Sequence, residues 1–489
     1  MNFSDLPLFL SRKGFLYPIL GVLVALTITT YYHRYPTGDD AWIAEQSYWL
    51  SKEGVVRSEF FRGILGWEKQ LFVTHKLFVA FGALLIKLSG YQLPTVQFTS
   101  LTFFCILLVA LVAYMVKKEG KLNSPYILAI LILVFSNRFL IRISFENRPE
   151  VMVTTLGFCS FICLTNTRNK LFRACLAGFL AGLALLTHLN GVIYLLAGFG
   201  LLAYRREFAA AFFFAVVGGL TGLLYFIDVF MVADGFSTWY YQFTHDPATQ
   251  DAFSLKSKLL VMLTYPRLFF YTPEHAALSI LFVYIAWHQR KFVRSLPVDL
   301  KVYSLVLLIS FWILTKHPSG GYLSLFMPFM LLIIYELYKR SPFSNSGLKL
   351  TLALYFLIGL YGIIEIIYIN NSRDYLPTAY KKLRPYISAK ESGLVPLTFF
   401  FNEYEQYAHL LCYENATYLS KQTANPANEI ATWAASRDVD FIVMDYVHGP
   451  APYYPPAGTT QLPSYKLTFF DGRFAVYKYQ LSKTGNQSR

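Results

Sequence analysis

Residues 15–42 read FLYPILGVLVALTITTYYHRYPTGDDAW, so an apolar stretch is followed at once by two adjacent carboxylates, Asp39 and Asp40. An apolar run of roughly 17 to 25 residues suits a helix that spans a membrane. A carboxylate beside hydrocarbon is costly unless it is solvated or paired, so acids at this depth are candidates for function. The stretch therefore predicts a spanning helix that opens onto a functional polar surface.

The rest of the chain is also apolar enough to cross a membrane many times. Of its 489 residues, 55% are hydrophobic and 15% are charged, and the mean hydropathy is +0.41. This composition excludes an ordinary soluble globular protein. We predict an all-α polytopic membrane protein with eleven spanning helices, at residues 15–33, 94–116, 124–141, 149–166, 172–187, 189–204, 208–230, 275–289, 299–315, 321–338 and 347–369.

Lysine and arginine gather in every second loop, and such loops stay on the cytoplasmic side. The basic positions are Arg12, Lys13, Lys117, Lys118, Lys121, Arg168, Lys170, Arg173, Arg205, Arg206, Arg290, Lys291, Arg294, Lys339, Arg340 and Lys349. This bias predicts a cytoplasmic amino terminus and an external carboxyl terminus. It also accounts for much of the net charge of +14, so we expect no nucleic-acid partner.

The alternation of loops holds only if the apolar stretch 71–89 does not cross the membrane. His75, Lys76 and Lys87 interrupt this stretch. We interpret it as re-entrant or as lying along the outer surface, which makes residues 34–93 one external loop. Residues 231–274 form a second predicted external loop.

The composition changes near residue 371. Residues 371–489 carry scattered charges, several prolines and strand-like runs at 440–444 and 473–477, and a helical pattern at 428–436 precedes the first run. We therefore divide the chain into a transmembrane domain, 1–370, and a small external α/β domain, 371–489. The five cysteines show no disulfide framework and no metal-binding spacing.

The acidic pair opens a helix that lies at the membrane surface. Trp42, Trp49 and Leu50 recur at helical spacing, and tryptophan favours the headgroup level. Asp40 has two interpretations, since it could simply cap this helix by accepting a hydrogen bond from a backbone amide. One carboxylate is enough for a cap, so Asp39 has no structural task.

Further charged residues fall in links that are predicted to be external. Each group has a plain alternative, which is a solvated turn or a lysine that extends from a helix end to the interface. Against this, dense charge is unusual in a chain that avoids charge, and lysine and arginine are suited to binding phosphate. The candidate substrate-binding residues are Lys69, His75, Lys76, Arg142, Arg148, Glu150, Lys316 and His317.

These residues predict one external cavity at membrane level, with carboxylates on one side and cations on another. A carboxylate can remove a proton from an attacking hydroxyl, and fixed cations can stabilise the charge on a departing phosphate. The expected chemistry is group transfer from a lipid phosphate to a hydroxyl acceptor.

The arrangement resembles the GT-C glycosyltransferases that use polyprenyl-phosphate sugars, in the branch of the protein mannosyltransferases and the bacterial aminoarabinose transferase. Members have a first span, an acidic pair that opens a surface helix, and a long external loop that ends in an apolar juxtamembrane helix. Here these are Asp39-Asp40, the loop through Trp67-Glu68-Lys69, and the stretch from Thr74-His75-Lys76-Leu77. Arg148-Pro149-Glu150 resembles the outer turn that follows the third span of the family.

The resemblance implies that Asp39, with Asp40 beside it in the catalytic pair, acts as the base of a single inverting displacement. The implied donor is a sugar on a polyprenyl phosphate, and the acceptor is a glycan, lipid or protein at the outer face of a bacterial inner membrane. No cofactor is expected, although Asp39, Asp40, Glu45 and Glu150 could supply oxygens to a divalent metal. Two alternatives remain open: a flippase or transporter of lipid-linked sugars, and a ligase or polymerase of lipid-linked glycans.

Overall fold

The computed structural model describes residues 13–166, 168–246, 254–314, 320–340, 345–407, 409–419, 426–447 and 453–480. These residues are mostly helical. The α-helices are Lys13–Thr29, Gly38–Glu53, Lys76–Ser89, Leu93–Glu119, Pro125–Phe135, Arg138–Arg142, Glu150–Leu164, Lys170–Thr187, Val192–Tyr204, Phe208–Leu223, Ile227–Phe230, Gly235–His245, Leu255–Thr264, Pro273–His288, Arg290–Val293, Val298–Leu314, Met327–Arg340, Ser346–Ser372, Leu376–Lys381, Phe400–Glu403, Tyr413–Leu419 and Pro426–Ala435. Short 3₁₀ helices are Leu189–Gly191, Leu224–Phe226, Tyr265–Phe270, Gly320–Leu325, Arg384–Tyr386, Leu397–Phe399 and Tyr404–Gln406.

Every stretch that was predicted to span the membrane contains helix, but the helices differ in length. Within the described residues, four are long and apolar enough to cross by themselves, and these are Leu93–Glu119, Lys170–Thr187, Phe208–Phe230 and Ser346–Tyr386. A fifth crossing is possible if the pair Leu255–Phe270 and Pro273–His288, bent by 89°, counts as one span. Shorter apolar helices such as Pro125–Phe135 do not reach the length of about 20 residues that a span needs. The helical membrane architecture is confirmed, whereas the number of eleven spans stays a prediction.

Contacts between loops agree with the predicted division of the loops into two sets, one at each end of the helices. At one end, ion pairs join residues in or next to loops that were predicted to be cytoplasmic: Lys339–Glu119, Arg205–Asp299 and Lys170–Glu207. At the other end, contacts join residues in or near links that were predicted to be external: Arg148 with Asp39, Asn370 with Thr30 near the end of the first predicted span, and His275, the first residue of a predicted span, with Gly320. We call the second end the outer end.

Glycines let neighbouring helices approach closely. A Cβ added to Gly182 would lie 2.6 Å from the carbonyl oxygen of Gly218, on the helix Phe208–Leu223. Small residues at such crossings are typical of helix packing in membranes, where backbones come close and dispersion contacts hold the helices together.

Two helices at the outer end form the platform of the site. The first, Gly38–Glu53, is called the surface helix, and the second, Lys76–Ser89, is called the juxtamembrane helix. The juxtamembrane helix has 14 residues, fewer than the roughly 20 that a span needs, and the prediction that this stretch does not cross stays a prediction. It packs tightly on the surface helix, since a Cβ added to Gly82 would lie 2.6 Å from Ser47 Oγ.

The loop between these helices is tied down by the buried carboxylate of Glu45. Its oxygens accept hydrogen bonds from the Ser58 hydroxyl at 2.6 Å, the Glu59 backbone N–H at 2.6 Å and the Phe60 backbone N–H at 3.1 Å. Trp49 Nε1 donates a fourth bond at 3.3 Å. Burial raises the pKa of Glu45 to about 7 despite these donors. Glu45 therefore orders the external loop and does not face a ligand.

The predicted external loop 231–274 contains helices of its own. Leu255–Thr264 packs against the neighbouring span, where Trp312 Nε1 donates a hydrogen bond to the carbonyl oxygen of Met262 at 2.9 Å. Leu255, Leu259 and Leu263 of the same helix are exposed. This uncovered row of leucines is an apolar surface of the kind that suits contact with lipid or with another protein.

The carboxyl-terminal region forms a six-stranded sheet in the order β2-β1-β3-β6-β5-β4. The strands are β1 Ser392–Val395, β2 His409–Cys412, β3 Phe441–Asp445, β4 Gln461–Leu462, β5 Tyr465–Phe470 and β6 Phe474–Tyr479. β1 is parallel to β2 and β3, and the remaining pairs are antiparallel. The two runs predicted as strands are β3 and β6, which pair directly, and the helix Pro426–Ala435 precedes β3 as expected.

This domain, which we call the external domain after its predicted side, is attached to the loop that follows the surface helix. The buried side chain of Asn415 donates hydrogen bonds to the carbonyl oxygens of Phe60, at 3.0 Å, and Arg62, at 2.9 Å. The backbone N–H of Cys412 also donates to Phe60, at 3.2 Å. The domain is therefore seated on the outer end of the helices.

The side on which the outer end lies can be tested with Lys69, which is exposed on the external loop. Lys69→Cys in intact cells should react with a membrane-impermeant maleimide above the background of the parent protein. Lys121→Cys, at the opposite end, should react only after permeabilisation. Protection of position 69 together with labelling of position 121 in intact cells would show that the orientation is the opposite of the predicted one.

Candidate functional site

The acidic pair divides into two different environments at the start of the surface helix. Thr37 is the N-cap and forms a capping box with Asp40, whose Oδ2 accepts the Thr37 N–H at 2.6 Å. Oδ1 of Asp40 accepts the backbone N–H of Asn147 at 2.5 Å. The side chain is buried, and burial together with the nearby Glu146 raises its pKa to about 7. Both oxygens of Asp40 thus hold backbone in place.

Asp39 lies on the open side of the same turn. Its side chain is 59% exposed, and its Oδ2 accepts a hydrogen bond from Arg148 Nη1 at 2.5 Å. Arg148 also reaches Glu150, with Nη2 to Oε1 at 2.9 Å and Nε to the same oxygen at 3.2 Å. The negative charges of Glu150 and then Asp39 raise the pKa of Arg148 above its usual range, so the guanidinium stays charged.

Arg148 also forms part of the wall of a cavity of about 650 Å³ at the outer end. The cavity lies between the link after the third predicted span and the start of the helix Pro273–His288. Its lining is Arg138, Phe139, Arg142, Glu146, Arg148, Tyr271, Thr272, Pro273, Glu274, His275, Gly320, Gly321, Leu357, Ile358 and Tyr361. We call it the arginine cavity.

The three arginines of this cavity are not equivalent. Arg138 pairs with Glu365 and with Glu274, the latter at 3.6 Å. Arg142 uses its Nε for Glu146, and its side chain remains 49% exposed. Because Arg148 and Arg138 are each held between two carboxylates, Arg142 is the cation best able to bind an anion that enters the cavity.

His75 lies beside the acidic part of the site. Its ring stacks on His188 with centroids 4.8 Å apart, and His188 meets the ring of Tyr322 edge-on. Burial lowers the pKa of His75 to about 3 and that of His188 to about 4. Both imidazoles are therefore neutral at pH 7, so His75 can donate a hydrogen bond to a ligand but supplies no charge.

The remaining basic candidates occupy other positions. The Lys76 ammonium is ion-paired with Asp228 and lies 5.3 Å from the Tyr225 ring, which leaves it less free than an exposed lysine. Lys69 is exposed on the external loop. Lys316 and His317 lie outside the described residues.

The external domain reaches the edge of the site through Glu414. A Cβ added to Gly38 would lie 4.0 Å from Glu414 Oε1, so this carboxylate is next to the start of the surface helix. Burial, with a smaller contribution from the charge of Asp39, raises the pKa of Glu414. The external domain therefore borders the surface that carries Asp39.

Sequence reasoning placed Asp39, Asp40, Arg142, Arg148 and Glu150 on one surface; the structure brings them together at the outer end, and their roles stay predictions. It did not find the part of the cavity formed by Arg138, Glu274 and His275, or the role of His188 as a stacking partner. The sequence did contain one signal for these residues, which is that they are ionisable and lie at the ends of apolar helices, where such residues are uncommon and usually paired. Which of them pair with each other depends on helix packing that no local pattern reveals.

No group of three or more His, Cys, Asp or Glu side chains is arranged to hold a metal ion in the ranges that the structure covers. Of the four acids named as possible metal ligands, Glu45 and Asp40 are committed to backbone and side-chain donors, and Asp39 and Glu150 share Arg148.

Comparison with known proteins gives similarity at the level of structure. No family model matches the chain, and no curated protein matches its sequence. ArnT from Cupriavidus metallidurans in the apo state superposes with a TM-score of 0.57 at 12% identity, over 95% of this chain and 97% of that one. The same enzyme bound to undecaprenyl phosphate gives 0.56 at 12% identity, over 97% and 100%.

A second solved structure, the oligosaccharyltransferase of Archaeoglobus fulgidus, gives a TM-score of 0.51 at 10% identity over 89% of this chain and 70% of that one. Both proteins are GT-C glycosyltransferases. At identities this low, the superposition establishes a shared fold and nothing more. The chain therefore has the GT-C fold, as the resemblance of its sequence predicts.

Proposed function

We propose that this protein is an integral membrane glycosyltransferase, which moves a single sugar from a polyprenyl-phosphate donor to a hydroxyl group of an acceptor at the outer face of the membrane. The observation that carries the proposal is the position of Arg148, which lines the arginine cavity and at the same time binds the exposed carboxylate of Asp39. The fold is shared with an enzyme whose structure holds undecaprenyl phosphate, and this supports a lipid-phosphate donor.

The donor phosphate is assigned to the arginine cavity. Arg142 and Arg148 would meet its oxygens, with His75 as a neutral hydrogen-bond donor and Lys76, Lys69, Lys316 and His317 as further contacts of the donor or acceptor. A phosphodiester carries one negative charge and the released phosphate monoester carries two. Cations that are already in position stabilise this growing charge without reorganisation.

Asp39 is assigned as the general base. It removes the proton of the acceptor hydroxyl while that oxygen attacks the anomeric carbon of the sugar. The bond from the anomeric carbon to the phosphate oxygen breaks, and its electron pair leaves on the polyprenyl phosphate. One displacement inverts the anomeric centre, and the proton passes from Asp39 to water.

Asp40 has a supporting role in this scheme, because its oxygens are occupied by the N–H groups of Thr37 and Asn147. Asp40 thereby attaches the turn that carries Asp39 to the link that contains Arg148. Glu150 keeps the Arg148 guanidinium in place from the other side.

The pattern of charge favours transfer over transport. Lys76 is ion-paired with Asp228 and Arg138 with Glu365, and Arg138 lines the same cavity as Arg148. A flippase for the same lipids would need polar groups along a path through the membrane. We assign the protein to a bacterial inner membrane, with the amino terminus in the cytoplasm.

Replacing the proposed base tests the reaction directly. Asp39→Asn should lower the transfer rate by roughly 100- to 10,000-fold, the usual contribution of a general base. Binding of undecaprenyl phosphate should change little. The measurement is transfer of radiolabel from a panel of polyprenyl-phosphate sugars by purified protein, with lipid-diphosphate glycans as the second donor class.

Asp40→Asn is the matched comparison, because it should act on folding. An amide nitrogen would face the N–H groups that the carboxylate now accepts, so the melting temperature should fall further than that of Asp39→Asn, whose exposed amide oxygen can still accept a hydrogen bond from Arg148. Full activity in Asp39→Asn would exclude Asp39 as the base. Transfer by the wild type only from lipid-diphosphate glycans would identify the protein as a ligase.

Arg142 tests the assignment of the phosphate. Arg142→Gln should weaken binding of undecaprenyl phosphate by about tenfold or more, since a hydrogen bond to a charged group contributes roughly 1.5–3 kcal/mol. Arg437→Gln, an exposed arginine of the external domain outside the cavity lining, is the control. Equal affinity in both variants would remove Arg142 from the site.

Chelation tests whether a metal takes part. Because the arginines can neutralise the departing phosphate, transfer should continue at an unchanged rate in excess EDTA. A loss of activity that Mg²⁺ or Mn²⁺ restores would contradict this and would point to Asp39 and Glu150 as ligands.

A further inference from the structure

A second cavity, of about 370 Å³, lies at the outer end between the first helix and the helix Leu93–Glu119. Its lining is Tyr31, His33, Arg34, Leu93, Pro94, Gln97, Phe98, Leu101, Phe145 and Tyr375. It shares no lining residue with the arginine cavity. We call it the Arg34 cavity.

Arg34 is held in place without an ionic partner. It is 4% exposed, and its guanidinium lies between the rings of Tyr31, at 3.1 Å, and Phe145, at 3.5 Å. Nε donates to the carbonyl oxygen of Thr30 at 2.9 Å and Nη2 to the Thr30 hydroxyl at 2.5 Å. Nη1 is buried and has no hydrogen-bond partner among the residues that the structure describes.

A buried cation without a counter-charge is costly and therefore unusual. Burial lowers the pKa of Arg34 to about 9, so the group is still charged at pH 7. The arginines of the arginine cavity are each paired with at least one carboxylate, whereas Arg34 forms no ion pair within the described ranges. The charge that would balance Arg34 is thus expected from a ligand.

Gln97 adds a second donor to the same cavity. It is 9% exposed, and its Nε2 is likewise buried without a hydrogen-bond partner in the part of the chain that the structure covers. Two buried donors that line one cavity, one of them cationic, match the oxygens of a single anionic group.

The position of the cavity fits a lipid. Phe98, 52% exposed, lines it, and the exposed Cys105 and Val109 continue the same face of the helix. That face is apolar and therefore suited to acyl chains. Gln97 and Phe98 follow the helix start at Leu93 by four and five residues, which places them about 8 Å or less from its outer end at 1.5 Å per residue.

We propose that the Arg34 cavity binds the phosphate of an anionic lipid headgroup, with Arg34 and Gln97 as donors and the face through Phe98 against the acyl chain. This site is separate from the proposed sugar transfer. Its occupancy would balance a buried charge only five residues before Asp39, so the bound lipid would stabilise the segment that carries the base.

The test uses purified full-length protein, stripped of lipid in a neutral detergent. Phosphatidylglycerol, phosphatidylcholine and inorganic phosphate are the three probes, and binding is measured by native mass spectrometry and by the rise in melting temperature. The wild type should bind phosphatidylglycerol in preference to phosphatidylcholine. Arg34→Gln should weaken phosphatidylglycerol binding by on the order of tenfold to a hundredfold and leave phosphatidylcholine unaffected.

Gln97→Leu is a second variant, which keeps Arg34. It should lose a smaller part of the preference for phosphatidylglycerol over phosphatidylcholine. Lys381→Gln, an exposed cation of the external domain, is the control and should bind like the wild type. Inorganic phosphate that binds alone and depends on Arg34 would support the anion site but assign it to free phosphate. Unchanged preference for phosphatidylglycerol in folded Arg34→Gln and Gln97→Leu would overturn the proposal.

Discussion

The pairing of Arg148 with both Asp39 and Glu150 is the interaction on which the outer surface depends. It joins the start of the surface helix to a link more than a hundred residues later in the chain. Glu150 is buried, so loss of the arginine would leave an uncompensated charge, which is among the most destabilising changes a protein interior can undergo. The same guanidinium borders the arginine cavity, and one side chain thereby connects the proposed base with the proposed phosphate site.

Other contacts hold Asp39 and Arg148 in fixed positions relative to each other. Asp40 bridges the capping box of the surface helix to the backbone of Asn147, one residue before Arg148. Glu45 orders the loop that follows, and Asn415 attaches the external domain to that loop. Buried polar groups of this kind are specific because each is costly if it is left unsatisfied. The exposed carboxylate of Asp39 is consequently carried on a rigid support.

Hydrophobic length was sufficient to predict the helical membrane architecture, and strand-like runs predicted the small sheet. That the helix at 76–89 does not cross and that the sheet is external, both inferred from the distribution of Lys and Arg, stay predictions. The acidic pair and Arg148 were found because charge is rare in this sequence. The partners Lys76–Asp228, His75–His188 and Arg138–Glu274 could not be read from it, since each joins residues distant in the chain through packing. The different tasks of Asp39 and Asp40 also needed the structure, because adjacent positions on a helix point in different directions.

The most direct test of the central claim is a cryo-electron microscopy structure of the protein with undecaprenyl phosphate bound. The account predicts that the phosphate lies in the arginine cavity, in contact with Arg142 and Arg148 and next to the carboxylate of Asp39. A phosphate bound elsewhere, with Asp39 distant from it, would contradict the account.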